Sequence, residues 1–194
     1  MVERRRQETI REIVITAIEL IDSDGFENTT VEAVAAAAGC SPRTIYRYFG
    51  TKEDLVFHDL PDVFAGLAAA LQDRLDAGQS EWDALTESLV EFIARFDMSN
   101  PTAAVSRMEL WLREPLLKAR YLQYVDQAEQ IVLEVLCRHR NSKPNADDRA
   151  QLMAVSAIGA YRITMATHRA ARGKGKLAVH LRHSLDAMAR GLAT

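Results

Sequence analysis

The segment Thr29–Lys52, TTVEAVAAAAGCSPRTIYRYFGTK, constrains this chain more than any other stretch. Val31, Val34, Ala35 and Ala38 recur at helical spacing. Thr29, with Glu32 three residues on, reads as a capping box at their start. Gly39 ends that helix, because glycine accepts the left-handed exit a helix needs. Ser41 caps a second helix, and Pro42 takes its first position, where a missing N–H costs nothing. The second helix runs to about Phe49. Gly50 stops it, and Thr51 with Asp54 caps the next. Two short helices across one tight turn make a helix-turn-helix, whose second helix is shaped for the DNA major groove.

Ile45 and Phe49 are four apart and share an inward face, leaving Arg43, Thr44, Tyr46 and Arg47 outward. Arginine neutralises phosphate or pairs bidentately with guanine, and threonine donates to phosphate or touches a thymine methyl. Tyr46 and Tyr48 carry hydroxyl donors on rigid stems. Lys52 opens the following helix, where its ammonium and the free N–H groups can reach a phosphate. Thr30, Tyr46, Tyr48 and Lys52 are the expected positioning contacts; Arg43, Thr44 and Arg47 are the expected base readers. Ser41 and Pro42, which set the start of the helix, complete the candidate DNA-binding set. The competing reading is structural: glycine-joined helix pairs also occur in bundles that bind no DNA, and Tyr48 points half inward.

The same residues carry a family resemblance. The segment resembles the N-terminal domain of TetR/AcrR-type regulators, with pattern T-T-V-x-x-V/I-A-x-x-A-G-x-S-x-x-T-x-Y-x-Y/H-F-x-x-K-x-x-L. Thr29, Thr30, Val31, Val34, Ala35, Ala38, Gly39, Ser41, Thr44, Tyr46, Tyr48, Phe49, Lys52 and Leu55 fall on it in one register. The detailed match covers about residues 8–58. Cys40 stands where the family commonly has a small aliphatic residue, and it fits there as a small hydrophobe. The resemblance implies an all-helical homodimer that binds a palindromic operator and releases it when a small ligand enters the C-terminal domain.

The rest of the chain punctuates as helices, about nine in all, with no convincing strand, internal repeat or low-complexity linker. A first helix over 7–23 carries the stripe Ile10, Ile13, Val14, Ala17, Leu20 and Ile21. It completes a three-helix head with the two helices above. A connector begins at Lys52, with a kink or break expected near Leu60 because of Pro61. Helices follow from Ser80, from Asn100–Pro101 to about Leu112, from Pro115, from Asp147 or Asp148, and from Lys176. The expected fold is all-α, with a DNA-binding head over 1–52 and a helical ligand-binding and dimerisation domain over 53–194.

In the family, the last two helices pair with those of a second copy. Here they carry Leu152, Val155, Ser156, Gly159, Ile163 and Ala166, then Leu177, Leu181, Leu185 and Met188. Val155, Gly159, Ile163, Leu181, Leu185 and Met188 are the expected dimer contacts; purely internal packing is the alternative. Phe64, Phe92, Met108, Trp111, Tyr124, Tyr161 and Met165 are the expected lining of a largely apolar ligand pocket, although most aromatic residues at helical spacing are plain core. Arg107 and Arg162 lie in otherwise apolar helices and can meet an anionic ligand or a local acid.

The net charge of −3 does not by itself favour nucleic acid, so the local arrangement decides. Glu8, Glu12, Glu19, Asp22 and Asp24 lie on the first helix, whereas the second helix of the motif has no acid. Arg4, Arg5 and Arg6 form a basic arm before the first helix, either a further DNA contact or a solvated tail. No run of about 18 apolar residues suggests a membrane span. No apolar run of signal-peptide type follows the basic N-terminus, so a cytoplasmic location is expected. Cys40 and Cys137 lack metal-type spacing and read as reduced thiols. No H-E-x-x-H, G-x-S-x-G or phosphate-cradling glycine loop occurs, so neither an enzyme nor a cofactor is expected. His180 and His183, three apart, fit a solvated face better than a metal pair. A helical interaction module without DNA binding is the third reading, and the outward basic set argues against it.

Overall fold

A computed structural model of the chain describes residues 2–99, 109–171 and 175–191. The described residues are helical and contain no strand. The helices are α1 Val2–Asp24, α2 Val31–Ala37, α3 Pro42–Tyr48, α4 Lys52–Phe57, α5 Leu60–Asp76, α6 Glu81–Ser99, α7 Pro115–His139, α8 Asp148–Ala170 and α9 Leu177–Arg190. A short 3-10 turn, Pro144–Ala146, precedes α8. Residues 109–113 are also helical; the rest of the helix expected from Asn100 lies outside the described residues. The chain forms two compact units: Met1–Leu60 with Ser106–Arg120, and Pro61–Val105 with Tyr121–Thr194.

In the first unit, α1 packs on α2 and α4, and α2 packs on α3. Ile13, Val14 and Ala17 of α1, Val34 and Ala35 of α2, Ile45 and Phe49, and Leu55 of α4 form its core. Cys40 is packed against that core, and burial pushes its thiol pKa up. Phe57 stacks on Trp111 with centroids 4.9 Å apart. Two local expectations shift. α1 begins at Val2 rather than near residue 7, so Arg4–Arg6 belong to the helix instead of preceding it. Thr30, not Thr29, is the N-cap of α2, accepting from the Ala33 N–H at 3.1 Å. Thr29 is instead buried, and its hydroxyl donates to the Gly25 carbonyl at 2.9 Å.

The other caps form as their spacing dictates. Ser41 accepts from the Thr44 N–H at 3.1 Å. Thr51 and Asp54 close both halves of a capping box. The connector divides between His58 and Asp59 into α4 and α5, and Pro61 falls in the first turn of α5, where its missing N–H leaves no gap.

Lys52 fastens the start of α4 to the loop between α1 and α2. Its ammonium donates to the carbonyls of Phe26, at 2.5 Å, and Thr29, at 3.0 Å. It also lies 4.0 Å from the Phe26 ring centroid. Charge-assisted bonds and a cation–π contact thus close the head.

In the second unit, α9 packs on both α6 and α8. Leu177, Leu181 and Leu185 form its buried stripe. The facing side of α8 buries Ala150, Ala154, Ala157 and Ala160, small residues that permit close helix approach. Arg182 of α9 grips Glu87 of α6 bidentately, at 2.8 and 3.0 Å, and this pairing holds the Glu87 carboxyl below its ordinary pKa. Asp147 ties the turn before α8. It accepts from the Ser142 hydroxyl at 2.6 Å, the Ala150 N–H at 3.0 Å and Arg140 Nε at 2.7 Å. The same Arg140 reaches both oxygens of Glu81. Ser142 foremost, then Ala150 and Arg140, hold the Asp147 carboxyl well below the ordinary carboxylate range.

Two tests follow from these ties. Lys52→Met should lower the stability of the N-terminal unit by about 1–2 kcal/mol, read as an earlier denaturation midpoint; an unchanged midpoint would show that the clasp carries no weight. Asp147 is more acidic folded than unfolded, so its contribution is present above its ordinary pKa of 3.8 and declines as pH falls below it. Asp147→Asn should therefore melt earlier than the parent at pH 7, and the gap should narrow below about pH 4. A gap constant with pH would remove the ionised carboxylate from the account.

Candidate nucleic-acid interface

α3 is only seven residues long, and its two faces are sharply divided. Ile45 is 1% exposed and Phe49, just after the helix, 4%; both enter the core of the head. Arg43, Tyr46 and Arg47 are exposed, Tyr46 to 54%. At 3.6 residues per turn these three fall in one continuous outward sector. Thr44 and Tyr48 flank it and are partly buried. The helix carries no acid.

The expected contacts differ in how free their polar atoms are. Ser41 and Thr44 share a hydrogen bond between hydroxyls at 2.9 Å, and Ser41 also caps the helix. Pro42 sits at the helix start, partly buried. Thr30 is exposed at the start of α2, with its oxygen engaged as a cap. Arg47 lies 4.7 Å from the Tyr48 ring centroid, and its Nη2 donates to the Tyr48 hydroxyl at 2.8 Å. Tyr48 packs its ring against the head core, so it has both faces that its position suggested. Lys52 departs from expectation: its ammonium is turned onto the Phe26 and Thr29 carbonyls, and half-buried there it acts as a clasp. Of the arginines weighed as a further DNA contact or a solvated tail, one reaches this cluster. Arg6 of α1 places its guanidinium 5.7 Å from the same Tyr48 ring centroid.

Phe64 stacks on Phe92 with centroids 6.2 Å apart and meets Tyr124 at 6.1 Å. The Tyr121 hydroxyl donates to that of Tyr161 at 3.4 Å, and burial pushes the Tyr121 pKa up. Met165 is buried. Trp111 lies in the first compact unit, where it is buried and stacks on Phe57. Arg162 is exposed. Met108 and Arg107 lie outside the described residues. A groove of about 410 Å³ between α5 and α7 is lined by Phe64, Ala65, Ala68, Ile131 and Val135, with Gln127, Glu134 and Arg138 as its polar members.

The expected dimer set also separates. Val155 and Ile163 are 53% and 58% exposed on α8, next to Leu152 at 68%, with Gly159 on the same face. Leu181 and Leu185 are fully buried within the protomer, at 0% exposure. They pack against the protomer's own helices and cannot meet a second copy, which corrects that part of the expectation. Met188 is half-buried and lines a small surface cleft with Trp82, Leu152 and Met153. Among the described residues no group of His, Cys, Asp and Glu is arranged to hold a metal ion. No described helix is long and apolar enough to cross a membrane.

Residues 13–58 match the family model for bacterial regulatory proteins of the tetR family, and residues 79–193 match that for the MftR C-terminal domain. The chain is 30% identical to the mycofactocin biosynthesis transcriptional regulator MftR of Mycobacterium tuberculosis, across 81% of this chain and 78% of that protein. It is 26% identical to the transcriptional regulator TcmR of Streptomyces glaucescens, across 81% and 72% of the two. Among solved structures, Thermus thermophilus FadR, a TetR-family repressor determined in complex with lauroyl-CoA, superposes with a TM-score of 0.61 at 20% identity over 95% of each chain. No catalytic family appears among these relatives, which are regulators of transcription. With both halves of the sequence matched, the chain belongs to the TetR family of bacterial transcriptional regulators.

Proposed function

We propose that this regulator binds a palindromic DNA operator as a homodimer in the cytoplasm, represses from it, and releases it when a largely apolar small molecule binds the C-terminal domain. The observation that carries the reading is the divided face of α3. Ile45 and Phe49 fix the helix from inside, and Arg43, Tyr46 and Arg47 stand outward together. Such a surface supplies phosphate affinity through its charges and base discrimination through its guanidinium forks. We assign DNA contact to Thr30, Ser41, Pro42, Arg43, Thr44, Tyr46, Arg47 and Tyr48, with Lys52 acting by holding the head in shape. The reading head corresponds to residues 1–52, and residues 53–194 take the ligand and the partner copy.

The apolar row Leu152, Val155 and Ile163 supports pairing with a second copy, since an isolated protomer leaves these side chains in water. A palindromic site matches a twofold protein, one head per half-site. The Phe64, Phe92 and Tyr124 cluster supports an apolar ligand nearby. Lauroyl-CoA, which the Thermus FadR binds, is a reasonable first probe. The ligand can act only through unequal affinity for two conformations of the protein.

Selection of bound sequences from random DNA, followed by gel shift, tests the reading. A twofold-symmetric site is expected, and a folded dimer with no preferred sequence would sink it. Arg47→Ala should cost about 1–3 kcal/mol at the selected site and relax preference at one position of each half-site. An even loss on all sequences would reassign Arg47 to the backbone. Ile163→Glu should shift the molecule from dimer to monomer in analytical ultracentrifugation while leaving the helical signal intact. A persistent dimer would move the interface elsewhere.

A further inference from the structure

We propose that Tyr48 is a positioning residue for Arg47, holding its guanidinium as a preset fork for one base pair of each half-site. The inference rests on the DNA-binding reading above, with Arg47 as a base reader, and names what makes that reader selective.

Arg47 and Tyr48 are the last two residues of α3, and the contact between them is double. Arg47 Nη2 donates to the Tyr48 hydroxyl at 2.8 Å, and the centre of the guanidinium lies 4.7 Å from the Tyr48 ring centroid. Within about 6 Å a guanidinium is attracted by an aromatic ring. Adjacent helical residues point about 100° apart, so this tie is made only where the two long side chains lean together. Tyr48 is itself anchored. Its ring packs against the head core and meets the ring of Phe49 edge-on, with centroids 6.5 Å apart. Phe49 is 4% exposed. Support therefore runs from the core, through the tyrosine ring, to the guanidinium.

The tie leaves the fork usable. An arginine has five N–H donors, and Arg47 spends one on Tyr48. Among the described residues it has no other hydrogen bond or ion pair, and it is exposed. The Tyr48 oxygen accepts from Arg47 and keeps its own proton, so the tyrosine can still donate to a phosphate. A free arginine must surrender rotamer freedom when it meets a base, whereas a held one has surrendered part of it already. Bidentate pairing is strict in direction, so the restraint acts on discrimination as well as affinity. Arg43 supplies the contrast. It is exposed one turn earlier on the same helix and, among the described residues, has no hydrogen bond or ion pair.

The test uses the selected site and its single-base variants. Arg47→Ala first marks the base pair whose preference relaxes. Tyr48→Phe, which removes only the hydroxyl, should relax preference at that same base pair several-fold and leave the other positions unchanged. Tyr48→Leu, which removes the ring as well, should relax it further; thermal melting checks its fold, and Tyr48→Phe carries the test if that fold is lost. In an Arg47→Ala background Tyr48→Phe should change base preference no further, whereas with Arg43→Ala its effect should simply add. An even loss of affinity on every sequence for Tyr48→Phe, or no loss, overturns the inference while leaving DNA binding intact. An even loss for Arg47→Ala overturns it too, because Arg47 then reads no base. A parent protein with no preferred sequence overturns the DNA-binding reading itself, and this inference with it.

Discussion

Three successive helices of seven, seven and six residues are too short to persist in water by themselves. Everything the head presents outward depends on their being pinned from inside. Ile45 and Phe49 insert into a core built by α1, α2 and α4, while Ser41, Thr30 and Thr51 close the exposed N–H groups at the three starts. The rigid display of Arg43, Tyr46 and Arg47 is therefore a product of tertiary packing. Burial supplies the stability, and the caps decide where each helix begins.

Features of the head that depend on residues three or four apart were legible from the chain alone. Ser41 with Thr44, Thr51 with Asp54, and the inward pair Ile45 and Phe49 all form as spacing dictates. Where tertiary contacts choose between equal local options, spacing is silent. Thr29 and Thr30 can each cap α2; burial of the Thr29 side chain beside Gly25 gives the cap to Thr30. For Lys52, its charge and helix position suggested a phosphate partner. What could not be seen was that two carbonyls, 23 and 26 residues back along the chain, converge on its ammonium. That Arg6 meets the Tyr48 ring was not legible for the same reason, because the ring lies on another helix.

The second unit shows the same limit from another side. α8 and α9 carry apolar rows that look equally suited to an inner or an outer interface. α9 lies between α6 and α8, so Leu177, Leu181 and Leu185 are spent within the protomer. α8 has apolar residues around more of its circumference; its alanines face inward and Leu152, Val155 and Ile163 are left over. Which helix is enclosed by two neighbours is a topological fact, and it reverses the meaning of otherwise similar stripes. The aromatic residues divide likewise, with Phe64, Phe92 and Tyr124 meeting in one unit and Trp111 packing on Phe57 in the other.

The division of α3 into anchors and outward residues has a consequence for how such a protein changes over generations. Substitutions at exposed positions away from caps and buried groups usually alter stability by no more than about 0.5 kcal/mol. Positions 43, 46 and 47 can therefore be exchanged with little effect on folding, whereas Ile45 and Phe49 cannot. On the DNA contacts proposed for these positions, a duplicated copy of the gene could drift to a new target sequence through a few exposed codons while the scaffold stays fixed. The outward face of α3 is thus a replaceable label on a fixed mount.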